Sequence, residues 1–178
     1  MRQITLLLFG FLFFSCSGDD NYTRPNSNQE PTGTISFTYN GEVIVLKNAS
    51  VMFGGPDSPY DLEMTGITTY PDVHFTKYAA IMSFRFIDEE FKLEQIDFTE
   101  TERLGEDSFT QHGYYARLLG ELPTTGFSAT SYITGEGEEE RLTGTFSGTL
   151  QKIDGTTIEI HNGSFEAGLD SPINTLTR

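Results

Sequence analysis

From residue 34 onward the chain alternates apolar and polar positions with a period of two, broken by glycines and prolines. No long window carries an amphipathic helical period, so the pattern predicts strands throughout. The run 34–47 is the clearest case, because two alternating segments flank Asn40 and Gly41, a strong short-range hairpin signal. A two-residue turn there pairs Tyr39 with Glu42, Phe37 with Ile44 and Ile35 with Leu46, and it puts the apolar partners on one face.

Residues 49–53 continue this sheet, and 54–60 reads as a loop holding Pro56 and Pro59. A strand interrupted by Gly66 follows over 61–69, then a turn over 70–72. In 79–87, Ala80, Met82, Phe84 and Phe86 face one way, with Ser83 and Arg85 on the other. Phe91, Leu93, Ile96 and Phe98 switch parity within one run, which a β-bulge near Glu94 and Gln95 repairs. Residues 104–111 read as a charged loop, 113–119 and 127–134 as strands, and 135–140 as an acidic turn.

The last segment specifies its own register. Leu142, Gly144, Phe146, Gly148 and Leu150 share a face, and Ile158 and Ile160 share one on the return run. Joining two such even-numbered sets needs a three-residue loop, 153–155, with Gly155 left-handed and Leu150 opposite Ile158. Beyond Ile160 the apolar positions become Phe165 and Ala167, so a bulge is expected at Asn162 and Gly163. That shift sets Gly163 across from Phe146 and Phe165 across from Gly144, each ring lying over a glycine.

Together these segments predict a single all-β domain over 34–170, an antiparallel β-sandwich or partly closed β-barrel of about eight to ten strands. Fifteen Phe, eight Tyr and eighteen Gly agree with that class, since aromatics suit pleated surfaces and glycines mark turns and bulges. No internal repeat of fixed period is visible. A net charge of −15 weighs against nucleic acid and anionic lipid headgroups as partners. With one cysteine there is no intramolecular disulfide, so packing must supply the stability.

That cysteine changes the picture of where the domain sits. Arg2 is followed by an apolar run over 4–14, suited to a secretory leader and too short to span a bilayer. The run ends at Phe13, Phe14, Ser15 and Cys16, which resembles the lipobox of bacterial lipoproteins, with Phe where Leu and a small residue are usual. The resemblance implies a signal peptide over 1–15, cleavage before Cys16 and lipidation of its sulfur. Ser17, Gly18, Asp19 and Asp20 resemble the export signal of Bacteroidota-type surface lipoproteins, which implies the outer membrane and the cell surface. Residues 16–33, with Pro25 and Pro31, then form a disordered tether of about 20–25 Å reach, and 171–178 form a C-terminal tail. The stretch from Gly144, Thr145, Phe146, Ser147 and Gly148 to Asn162, Gly163, Ser164 and Phe165 is similar to the C-terminal part of uncharacterised all-β lipoproteins of that type. This likeness implies fold and location and names no activity.

Candidate chemistry is sparse. The chain has no nucleophile elbow, phosphate-binding glycine loop, His-Glu-x-x-His helix or EF-hand loop. His74, His112 and His161 lie far apart. Glu159 and His161 share a strand face without third and fourth ligands, and the acidic run of Glu136 and Glu138 to Glu140 reads as a solvated loop tip, so no metal or other cofactor is expected. Tyr60, Tyr70, Tyr78, Tyr114 and Tyr115 are candidate stacking platforms for sugars, set against ordinary packing with the hydroxyl at the rim. Glu100, Glu102, Glu106 and Asp107 are candidate acid and base groups, but the reading places them in a polar loop with nothing to perturb them.

The expectation is a cell-envelope lipoprotein anchored to the membrane through Cys16, acting as a non-catalytic binding or scaffold module for a protein or glycan. The alternatives are a glycan-binding or apolar-ligand carrier barrel, and a hydrolase without a known motif. A carrier would leave an interior cavity of about 300 Å³ or more, whereas a packed domain fills that space with Phe37, Ile44, Phe84, Phe146 and Phe165.

Overall fold

The computed structural model describes residues 33–54, 57–119, 124–136 and 140–169. The expected leader, Cys16, all of the tether but Gly33, and the tail lie outside these residues. Nine strands run in order: β1 (Gly33–Tyr39), β2 (Glu42–Phe53), β3 (Leu62–Thr69), β4 (Thr76–Ile87), β5 (Glu90–Arg103), β6 (Phe109–Arg117), β7 (Phe127–Thr134), β8 (Arg141–Gln151) and β9 (Thr157–Gly168). They form one antiparallel sheet ordered β6-β5-β4-β3-β2-β1-β9-β8-β7. A further bridge from Tyr115 on β6 to Gln151 on β8 closes eight of them into a ring. Strand β7 pairs with the earlier part of β8, so β6 and β7 follow one another along the same edge of β8. Of the two expected architectures, the chain adopts the barrel.

Local chemistry sets the registers. Asn40 and Gly41 both have positive φ, 49° and 79°, as the expected two-residue turn requires, and Phe37 pairs with Ile44 and Ile35 with Leu46. On β5 the pairing steps from Ser83–Gln95 to Phe84–Leu93, leaving Glu94 as the extra residue of the expected bulge. Phe91, Leu93, Ile96 and Phe98 thereby all face the core. Leu150 pairs with Ile158, Gly155 has φ 86°, and Asn162, at φ 52°, carries the bulge that brings Gly163 opposite Phe146. A Cβ on Gly163 would lie 2.4 Å from the Phe146 carbonyl oxygen, and one on Gly144 would lie 2.3 Å from the Phe165 ring, so only glycine fits beneath either ring.

Along β4 to β6 the expected faces hold and one boundary is corrected. Phe86 keeps the face it shares with Phe84, pairing with Phe91 and packing on its ring at 5.0 Å, but it sits at the end of β4 and is 42 % exposed. Ser83 lies on the outer face as expected, opposite its ladder partner Glu63, where it donates to Glu63 Oε1 at 3.3 Å and is covered to 1 % exposure. The charged loop ends at residue 108, since Phe109 stacks on Phe75 with ring centroids 4.2 Å apart and begins β6.

The barrel interior is filled. A file of rings runs through it, Phe98 to Phe37 (5.2 Å), Phe37 to Phe146 (6.0 Å), Phe146 to Phe165 (6.3 Å) and Phe165 to Phe84 (5.4 Å). Burying each such side chain contributes about 1.5–3 kcal/mol. Because the strands alternate in direction, the β1–β2, β3–β4, β5–β6 and β8–β9 connections gather at one end of the barrel. Gly33 and the close of β9 lie at the other.

Candidate functional site

The connected end is an open, polar mouth. Its floor is set by Phe98, whose ring packs against Tyr39 (5.4 Å), Tyr78 (5.9 Å) and Tyr114 (6.3 Å). One residue pair nearer the rim, the ladder aligns Tyr78 on β4, Glu100 on β5 and His112 on β6. Tyr39 comes from β1, four strand positions around the ring from β5, and donates its hydroxyl to Glu100 Oε2 at 2.8 Å. This hydrogen bond crosses the mouth like a strut. Burial, followed by the neighbouring Glu100 carboxylate, pushes the Tyr39 phenol well above its ordinary value of 10.0. Burial likewise raises Tyr78.

Two ammonium groups lie on tyrosine rings. Lys77 Nζ is 4.9 Å from the Tyr78 ring centroid and 5.9 Å from that of Tyr70. Lys152 Nζ is 4.8 Å from the Tyr114 ring and 3.0 Å from His112 Nδ1. An ammonium only donates, so His112 Nδ1 is the acceptor in that contact, and His112 Nε2 lies 3.5 Å from Glu102 Oε2. Among the described residues neither lysine has a carboxylate within 4.0 Å, whereas Arg85, Lys92, Arg103 and Arg141 each pair with one.

The wall beside Lys77 is built by the β3–β4 connection. Tyr70 donates its hydroxyl to the Thr101 carbonyl at 2.5 Å and leans on Phe109, while Arg103 ties Asp72 (2.5 Å) to the carbonyls of Gly105 and Glu106. Arg103 holds the Asp72 carboxyl below the usual carboxylate range. The result is a cleft of about 530 Å³ that includes Lys77, Glu100, Glu102 and Arg103 in its lining. A second cleft of about 500 Å³ runs past Gly113 to Asp154, and the two share His112, Tyr114 and Lys152. Both are within the size range of small-molecule sites.

Of the five tyrosines singled out from the sequence, Tyr70, Tyr78, Tyr114 and Tyr115 line these clefts or pack beside them. Tyr60 does not, since its hydroxyl reaches Gln95 Oε1 at 3.3 Å lower on the barrel. Glu100 and Glu102 belong to β5 rather than to a polar loop, with Glu100 placed by its pairing against Tyr78 and by Tyr39. Glu106 and Asp107 stay in the exposed β5–β6 connection. Glu159 and His161 are exposed on β9, and Glu159 accepts from Thr149 Oγ1 at 2.5 Å. Glu138 and Glu139 lie outside the described residues, and among the described residues no three His, Cys, Asp or Glu side chains converge on a metal site.

Sequence reasoning missed Tyr39, Lys77 and Lys152. The available signal was positional: Tyr39 ends β1 just before the Asn40–Gly41 turn, and Lys152 precedes the 153–155 loop, which puts both at one end of the barrel. No protein-family model matches the chain, and no curated protein or solved structure matches it, so any functional conclusion rests on the chemistry of this mouth.

Proposed function

We propose that the chain is a lipid-tethered, extracytoplasmic binding module without catalysis of its own, and that its ligand site is the tyrosine-rimmed mouth. The single observation that carries this reading is the contrast between the two parts of the barrel. The lumen is closed by phenylalanines packed edge-on and tilted against one another, while the mouth offers two adjoining clefts with half-buried cations, hydrogen-bond acceptors and aromatic walls. An apolar carrier is disfavoured, because the lumen it needs is occupied. Cys16 is the proposed point of lipidation in an outer-membrane, surface-facing location. Since β1 starts at Gly33, at the end remote from the mouth, a tether from Cys16 would turn the clefts away from the membrane.

A thermal-shift screen of the full chain against glycans, lipids and divalent ions tests the site. The expected result is a stabilising hit that disappears in Tyr70→Ala, which thins the mouth wall without touching the aromatic file. Hits that persist in that variant refute the mouth as the site. Labelled palmitate tests the tether separately: incorporation is expected in the native chain and absent in Cys16→Ala, and partitioning of Cys16→Ala with membranes would refute it.

A further inference from the structure

We infer that the mouth takes an acidic saccharide, a hydroxyl-rich chain carrying carboxylates, of which uronic acid oligomers are the simplest case. This rests on the mouth being the ligand site. The first observation is the pair of half-buried ammonium groups, Lys77 and Lys152, that lack a carboxylate within ion-pair distance and are held by ring faces and by His112. On a chain of net charge −15, this cluster of cations, only partly offset by Glu100, Glu102 and Asp154, is a place where an anion meets attraction rather than repulsion.

The second observation favours a hydroxyl-bearing anion over simpler ones. Glu100 and Glu102 line the same cleft as the lysines, and a carboxylate only accepts hydrogen bonds. A halide, sulfate or a fatty acid carboxylate has nothing to donate to them and hydrogenphosphate only one or two hydroxyls, whereas a sugar acid presents its carboxylate to the lysines and several hydroxyls to the glutamates. The third is shape. Phe98 and Phe37 close the lumen below, so no acyl tail can descend, while the clefts continue sideways past Gly113, where a Cβ would meet nothing within 4 Å. The space is elongated across the rim, as a short oligosaccharide reaching from Tyr70 to Lys152 and on toward Asp154 requires.

Isothermal titration of the full chain with trigalacturonate and with neutral maltotriose tests this. Trigalacturonate is expected to bind, with affinity falling about tenfold or more in Lys77→Met and in Lys152→Met, and maltotriose to bind at least about tenfold more weakly. Addition of about 0.5 M NaCl should weaken the acidic ligand and leave the neutral one unchanged. Circular dichroism verifies that each variant is folded, and Lys77→Gln or Lys152→Gln replaces the corresponding one that is not. Equal affinity for the two sugars, or lysine variants that bind like the native chain, overturns the acidic class. If that weak or equal binding is still lost in Tyr70→Ala, the mouth stands as the site and only its ligand class is wrong. Absence of binding by trigalacturonate overturns the inference outright, and absence of any Tyr70-dependent hit in the wider screen overturns the binding-module reading as well.

Discussion

Replacing Tyr39 by Phe removes one oxygen from the strut across the mouth and leaves the ring packing against Phe98 in place. A hydrogen bond to a charged acceptor contributes about 1.5–3 kcal/mol. Glu100 is only half-buried and can recruit water once the phenol is gone, so the loss should fall just below that range, about 1–1.5 kcal/mol. For a domain of this size that lowers Tm by roughly 3–5 °C at neutral pH. The same bond has a pH signature. The folded phenol titrates above its ordinary value of 10.0 because it is buried and faces a carboxylate. Its contribution is therefore complete below pH 10 and is lost as pH climbs through the raised value. Native chain should lose more stability than Tyr39→Phe between neutral pH and about pH 11, with Tyr60 and Tyr78, also raised, acting equally in both. Thermal melts followed by circular dichroism across that range measure both effects. An unchanged Tm at pH 7, or Tm–pH curves that run parallel, would refute the strut.

Other substitutions probe the frame that holds the mouth. Gly163→Ala forces a Cβ to within 2.4 Å of the Phe146 carbonyl oxygen and should destabilise by about 1–3 kcal/mol in urea unfolding; Phe146→Leu should not rescue it, because the obstructing oxygen is backbone. The β4–β5 turn uses Asp88 and Glu89 at φ 54° and 66°, so Glu89→Gly should stabilise by about 1 kcal/mol, and a fall in midpoint would contradict that. Phe98→Ala removes the ring shared by the three mouth tyrosines and should cost about 3–5 kcal/mol, together with any ligand-induced thermal shift. Thr101 is 1 % exposed with its hydroxyl unpartnered, so Thr101→Val should be neutral or stabilising by up to about 1 kcal/mol.

Why the frame could be read from the sequence while the mouth could not follows from the range of the signals. The Asn40–Gly41 turn, the extra Glu94 and the loop ending at Gly155 are encoded within a few residues, because parity and turn length must agree locally or a whole apolar face is exposed. Where the local rule was broken, the reading slipped. Asp88 and Glu89 carry no glycine to mark their turn, and Phe109 becomes a strand residue through its stack on Phe75, from a different connection. The mouth sums all of these offsets. Tyr39 and Glu100 are 61 residues apart, and they meet only because four successive pairings, each with a register shift along its length, leave β1 and β5 level across the ring. A one-residue error in any pairing would turn Glu100 to the outer face and strand both lysines without their rings. The polar site is thus specified by the same bulges that keep the phenylalanines inside, and a change that slips a bulge should abolish ligand response before it unfolds the barrel.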